Sequence, residues 1–261
     1  MRVTDVAAFV GPYPFRHLAH ADSPEWLLRQ MDRLRIERAW VGHLASFLYT
    51  DPAPGNDALF GIVDPHLDRL VAIPAVSPAQ AGWERDLAEA VRRGAPAVRV
   101  YPQYAGVSTG GAEMHAVVAA AARAGVAVVL TVRFEDLRQR HPLDAAPDLD
   151  AAAIRSLARS ERGGRLVVTH ASRNLIEEVH FGLTPDEARR IVWDISWIWG
   201  PPEDDLGILL DTIGPDRFVL GTGMPLRIPD TAFTKLALLE GIDEAAKNRI
   251  LSENLEAWLH G

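Results

Sequence analysis

The chain contains no cysteine among its 261 residues. Disulfides, thiolate nucleophiles, iron–sulfur clusters and Cys-ligated zinc are excluded together. No apolar run reaches the ~20 residues of a membrane-spanning helix. Positive charge is in deficit: 27 Lys and Arg face 35 Asp and Glu, for a formal net charge of −8. That balance argues against nonspecific nucleic-acid binding while leaving a local basic site open. No glycine-rich phosphate fingerprint follows the first apolar run. Gly110-Gly111 and Gly163-Gly164 sit at helix boundaries and read as turns. A Gly-x-Ser-x-Gly elbow and a Ser-His-Asp order are also missing. The opening Met-Arg-Val-Thr-Asp-Val lacks the apolar stretch of ~7–15 residues that a signal peptide carries. The expectation is a soluble cytoplasmic protein.

Apolar residues make up 48% of the chain, enough to fill one large core. Short apolar runs alternate with helical patterns. Strands are predicted at Val3–Phe9, Ala39–Leu44, Leu70–Val76, Ala97–Tyr101, Val126–Val132, Leu166–Thr169, Ile191–Ile195 and Phe218–Gly221. Helices are predicted at Ser23–Leu34, Asn56–Asp64, Trp83–Arg93, Ala112–Ala124, Leu149–Arg159, Leu175–His180 and Asp204–Ile213. Two more, Ala232–Glu240 and Asp243–Trp258, close the chain. Ser23 is placed as an N-cap with Pro24 behind it, and Gly94 and Gly125 are placed as stops. Eight strands, nearly all followed by a helix, predict a parallel sheet closed into a (β/α)8 TIM barrel, an α/β fold of ~250 residues. No linker or boundary divides residues 1–261, so one domain is expected, although length alone also allows two smaller ones.

Four segments resemble the amidohydrolase-related family (amidohydrolase 2 type), a group of metal-dependent decarboxylating and lactone-hydrolysing barrels. Their first strand begins with Asp and continues His-x-His before a Gly. Here it reads Asp5-Val-Ala7-Ala-Phe9-Val-Gly11. Their sixth strand ends in His, matching Val-Val-Thr-His170. Their eighth ends Gly-[Ser/Thr]-Asp-x-Pro, against Gly221-Thr222-Gly223-Met224-Pro225 here. A final helix with an Asn-Ala pair after an acid is approached by Ser-Glu253-Asn254-Leu. The resemblance implies the barrel and hydrolase or lyase chemistry on a small carboxylate. The departures imply that the metal of the family is absent. Ala7, Phe9 and Gly223 stand where two histidines and an acid would be, and Thr131 stands where some members carry another histidine. Catalytic zinc needs about three protein ligands. Neither a metal nor any other cofactor is therefore expected.

Barrel sites lie at the C-terminal strand ends. Alternation places Asp5, Ala7 and Phe9 on one face, with Arg99 and Tyr101, Thr131 and Arg133, and Asp194 and Ser196 on others. His170 closes the sixth strand. The candidate catalytic set is His170, Asp194 and Asp5. His170 serves as acid or base, because its reference pKa lies near neutrality, and Asp194 orients it. The candidate substrate-binding set is Arg99, Arg133, Tyr101 and Arg16, since a guanidinium fork matches a carboxylate or phosphate. The alternative is that these arginines pair internally with Asp5, Asp194 or Glu135. The segment of roughly fifteen residues from Arg133 to Pro147 is expected to cover the mouth. His17 and His141 fall in loops that should also reach it. Trp193, Trp197 and Trp199 either line a pocket or pack under a loop. Three functional readings follow: a metal-independent hydrolase or lyase, a binding protein that keeps the pocket, and a subunit for assembly. A small anionic partner is expected, with neither nucleic acid nor membrane, and homo-oligomers remain open.

Overall fold

The computed structural model describes residues 2–160 and 164–261, so Gly163 of the expected Gly163-Gly164 turn lies outside the described residues. Eight strands appear in the anticipated order. They are β1 (Thr4–Val10), β2 (Arg38–His43), β3 (Leu70–Ala72), β4 (Ala97–Val100), β5 (Ala127–Thr131), β6 (Leu166–Thr169), β7 (Ile191–Asp194) and β8 (Phe218–Val219). Regular pairing runs β1-β2-β3 and β4-β5-β6-β7-β8, all parallel. Two or three backbone hydrogen bonds close each seam. Arg99 N–H donates to Pro74 O at 2.8 Å and Val76 N–H to Arg99 O at 2.9 Å. Opposite them, Val6 N–H donates to Leu220 O, Gly223 N–H to Ala7 O and Phe9 N–H to Met224 O, each at 2.9 Å. The result is a closed (β/α)8 barrel, which has no exposed sheet edge.

The helices are α1 (Pro24–Leu34), α2 (Ala53–Val63), α3 (Trp83–Arg92), α4 (Pro102–Ala105), α5 (Ala112–Ala124), α6 (Ala151–Ala158), α7 (Arg173–Phe181), α8 (Pro185–Ala188), α9 (Asp205–Ile213), α10 (Asp230–Leu238), α11 (Glu244–Asn248) and α12 (Asn254–His260). Local chemistry sets their ends. The Ser23 side chain accepts Trp26 N–H at 3.1 Å, so α1 starts where the Ser-Pro pair predicts. Gly125, at φ +75°, stops the alanine-rich α5. Thr184 and Glu187 form a reciprocal capping box at α8. Neither the short α4 nor the 3₁₀ turn Leu44–Leu48 was expected, and the final predicted helix divides around a π-helical turn at Arg249–Glu253.

Packing falls into three layers. Ala8, Val10, Val41, Val98, Leu130 and Val168 point out toward the helices. Val6, Trp40, Ile73, Val129, Val192 and Val219 fill the barrel, and Leu255 of α12 joins them from below. A third cluster of Phe9, Tyr13, Phe47, Tyr101, Phe134 and Leu226 occupies the C-terminal mouth.

One expectation about β1 requires correction. Asp5 pairs with Ala39, yet Ala8 pairs with Val41, so three steps on β1 match two on β2. That bulge breaks simple alternation. Val6 lies in the inner layer and Phe9 in the mouth cluster, so Asp5, Ala7 and Phe9 do not form one regular face.

Candidate functional site

His170 ends β6 in the left-handed region, at φ +61°. Asp194, at the end of the neighbouring β7, accepts the His170 main-chain N–H at 2.8 Å. The other Asp194 oxygen accepts the Ser196 hydroxyl at 2.5 Å. Asp194 thus fixes the backbone of His170, whereas the ring is held by the Arg133 carbonyl, 2.8 Å from Nδ1. This corrects the expectation that the carboxylate orients the imidazole. A carbonyl only accepts, so Nδ1 carries the proton and Nε2 keeps a lone pair. Among the described residues Nε2 is buried without a hydrogen-bond partner. It faces Gly223, whose absent Cβ would stand 3.4 Å away.

The surroundings keep the ring neutral. Burial pushes the His170 pKa down to about 3; the Arg133 carbonyl opposes this, and the charges of Arg227, Arg99 and Arg133 reinforce it. Phe9, Phe134 and Trp197 surround the ring at centroid distances of 5.9, 6.4 and 5.8 Å. The site is therefore apolar in its walls and positive in its field.

The arginines divide by partner. Arg133 pairs with Asp148 at 2.8 Å, a residue outside the pairings considered from sequence. Arg16 pairs with Glu135 at 2.8 Å and donates to Leu226 O at 3.2 Å. Arg99 is fully buried; one nitrogen donates to Val6 O at 3.1 Å, and among the described residues Nε and the other terminal nitrogen have no partner. Its guanidinium lies 4.5 Å from the Phe9 centroid. Burial lowers its pKa, while Tyr101, Asp5 and Asp194 oppose the fall. The Tyr101 hydroxyl is likewise buried and unpartnered. Sequence reading passed over Arg227, whose guanidinium lies 4.2 Å from the Trp197 centroid and whose Cδ is beside Gly223. Burial depresses its pKa against the pull of Asp194, Asp136 and Glu135. The only signal for it was its position in the loop after β8, where barrels place functional groups.

Asp5 has a different setting. Its carboxylate accepts Ala7 N–H at 2.9 Å, Thr222 N–H at 3.0 Å and the Thr222 hydroxyl at 2.5 Å. It clasps the β8–β1 seam, and these bonds do not join it to His170. Burial raises its pKa to about 6 despite the Thr222 and Ala7 bonds. Lys235, also overlooked from sequence, donates to the carbonyls of Ile195 and Ile198 at 2.6 and 2.7 Å. It braces the turn that carries Ser196 and Trp197.

Aromatic rings close the mouth. Phe134 stacks on Phe47 with centroids 4.4 Å apart and touches Phe9 and Tyr101 at 5.8 and 5.6 Å. Phe134 belongs to the long segment after β5, which lies over the mouth as expected. Arg140 ties that segment to itself through Asp148, at 2.5 Å, and Ala146 O, at 2.9 Å. His141 is exposed and stacks on Phe15, and His17 is exposed nearby. Of the tryptophans, Trp193 is core, Trp197 flanks His170 and Trp199 is exposed.

Known structures show the same architecture. A 2,6-dihydroxybenzoate decarboxylase from Rhizobium superposes with a TM-score of 0.74 at 15% identity, covering 100% of this chain and 99% of that one. The shared fold is the TIM barrel. A 5-carboxyvanillate decarboxylase from Novosphingobium aromaticivorans, complexed with manganese and 4-hydroxy-3-methoxy-5-nitrobenzoic acid, gives 0.73 at 12%, over 100% and 96%. A probable 2-pyrone-4,6-dicarboxylic acid hydrolase from Acinetobacter baumannii, with citric acid bound, gives 0.69 at 13%, over 100% of both chains. At such identities the likeness establishes the fold alone. No family model and no curated protein matches the sequence. Among the described residues, no helix is long and apolar enough to cross a membrane.

A divalent ion, as in the manganese complex, does not fit the residues at this mouth. Among the described residues no group of three His, Cys, Asp or Glu converges. His170 Nε2 meets Gly223 and apolar rings, and the charges that act on its ring are those of guanidinium groups.

Proposed function

We propose that residues 1–261 form one cytoplasmic domain that binds a small planar carboxylate and processes it as a metal-independent lyase or hydrolase. One observation carries this reading. The His170 Nε2 lone pair is buried and unpartnered among the charges of Arg227, Arg99 and Arg133. An anion beside Nε2 would offset those cations and raise the His170 pKa toward the range where it transfers protons. Arg227, with Arg133 behind it, would hold the carboxylate, and Trp197 would pack against a flat ring. Arg99 and Tyr101 lie beneath as further donors. With the anion bound, His170 Nε2 would take a proton from solvent and deliver it to the ring carbon as the bond to the departing carbon dioxide breaks, or to a leaving oxygen as water attacks.

The carboxylate class is suggested by the dihydroxybenzoate and citric acid complexes of proteins with this fold. The test uses chelator-treated protein against hydroxybenzoates and pyrone dicarboxylates, followed by ultraviolet absorbance and carbon dioxide release. Turnover that His170→Gln removes while binding persists supports the reading. Turnover that appears only with added manganese sinks the metal-independent part.

The closed aromatic mouth favours a second reading, a binding protein without turnover. Phe9 packs on Arg99 and Phe134 packs on Phe9, so a ligand must displace side chains to enter. Saturable binding with no product from any substrate would select it.

A further inference from the structure

The opposite end of the barrel holds a polar cavity. Three neighbouring strands each begin just after arginine: Arg165 before β6, Arg189 and Arg190 before β7, and Arg217 before β8. Parallel pairing sets these starts side by side. Arg249, from the π-helical turn, and Trp258, from α12, complete a cavity of about 590 Å³. That size suits a small molecule, for which ~300–1,000 Å³ is usual.

The charge there is unbalanced. Five guanidinium groups line the cavity against two carboxylates, Asp216 and Glu253, within a chain of net charge −8. A terminal carboxylate on Gly261, which also lines it, would still leave an excess. Backbone carbonyls orient three of the arginines without neutralising them. Arg190 donates to Ala158 O and Ser160 O at 2.8 and 3.0 Å, Arg217 to Arg189 O at 3.1 Å, and Arg165 to Leu259 O. Trp258 Nε1 donates to the same Arg189 carbonyl at 3.0 Å, fixing the indole at the rim. Arg249 pairs with Asp216 at 3.2 Å and Arg189 with Asp186. Burial pulls the Arg217 pKa down; Asp216 resists, and Arg189 adds to the fall. Such crowding is relieved by an anion carrying more than one charge.

We propose that this cavity is a binding site for a small multivalent anion of the phosphate class, separate from the mouth. Guanidinium forks held by carbonyls match phosphoryl oxygens in pairs, which compact ammonium groups do not. The site stands independently of the function proposed for the mouth.

The probe is inorganic pyrophosphate, titrated calorimetrically into the intact chain, with chloride of equal ionic strength as control. One saturable site is expected. Arg217→Gln and Arg190→Gln should each weaken it about tenfold or more, the effect of losing a charge-assisted hydrogen bond. Glu253→Gln should tighten it, and this gain of affinity guards against variants that merely unfold. Arg227→Gln, at the mouth, should leave it unchanged. Absent saturation, or binding lost in Arg227→Gln but kept in Arg217→Gln, overturns the proposal.

Discussion

Asp194 holds His170 by its main chain, accepting the N–H at 2.8 Å, while the imidazole turns away to the Arg133 carbonyl. The left-handed φ of +61° at His170 is unfavourable for a residue with a side chain, so this bond helps impose it. Gly221 is the necessary complement, because a Cβ there would overlap the Asp194 carboxylate.

Asp194→Asn is expected to cost about 1–3 kcal/mol, since an amide cannot accept from both His170 and Ser196. Denaturant melts measure that loss. Nitrogen chemical shifts of His170 should still report a proton on Nδ1, because the Arg133 carbonyl selects the tautomer. A switch to Nε2–H in the variant would assign Asp194 the ring-orienting role instead.

His170 also makes stability depend on pH. Its folded pKa, about 3, lies below its ordinary 6.5. The unfolded chain therefore takes up a proton that the folded chain refuses. The stabilisation is full above pH 6.5 and is lost as pH falls toward 3, by about 1.4 kcal/mol per unit. Asp5 acts in reverse. Raised from 3.8 to about 6, it favours the fold below pH 3.8 and withdraws that support as pH rises through 6. Replacing His170 with Gln should flatten the acid limb of a stability–pH curve, and Asp5→Asn should steepen it. Unchanged slopes in both variants would show that neither group titrates this way.

Gly42 tests the buried guanidinium. A Cβ there would stand 2.5 Å from Arg99 Nε and 2.7 Å from Cδ. Gly42→Ala should destabilise the chain by about 1–3 kcal/mol, the usual cost of overpacking. Adding Arg99→Met should recover much of that loss, because the thinner side chain yields the space. A double-mutant cycle with no coupling would mean that the two residues do not compete for it.

How much of this was legible depended on whether a feature is local. β6 and α5 were placed at their observed bounds, since a β-branched run and an alanine-rich run ending in Gly125 carry their own signals. The position of His170 and Asp194 at the mouth was legible because strand ends in a barrel point there. The β1 bulge was invisible, because alternation is all that a sequence offers and the extra residue is set by pairing with β2. Arg133 was read either as a fork for an anion or as a partner of Asp5, Asp194 or Glu135, whereas Asp148, fifteen positions on, claims it through a fold-back no periodicity encodes. Arg227 and Phe134 belong to loops whose paths follow from tertiary packing, so their roles at the mouth emerged only in three dimensions.

That difference changes which arginine should matter for anions at the mouth. Arg133 is already paired with Asp148, which Arg140 also holds at 2.5 Å. Arg133→Met therefore leaves Asp148 with a cation and should be mild for stability. Arg227 lies instead over Trp197, beside Gly223, with its positive charge pressing on His170. If a small aromatic carboxylate binds here, it stabilises the folded chain by mass action, about 2.7 kcal/mol at a hundredfold excess over Kd. A thermal-shift series over hydroxybenzoates should show this rise in wild type. It should persist in reduced form in Arg133→Met and vanish in Arg227→Gln. The same Arg227→Gln substitution should raise the His170 pKa, read by its imidazole shifts, because a repelling cation has gone. Equal responses from both variants would reject Arg227 as the principal anion holder. Flat wild-type melts across the whole panel would reject a carboxylate ligand at the mouth.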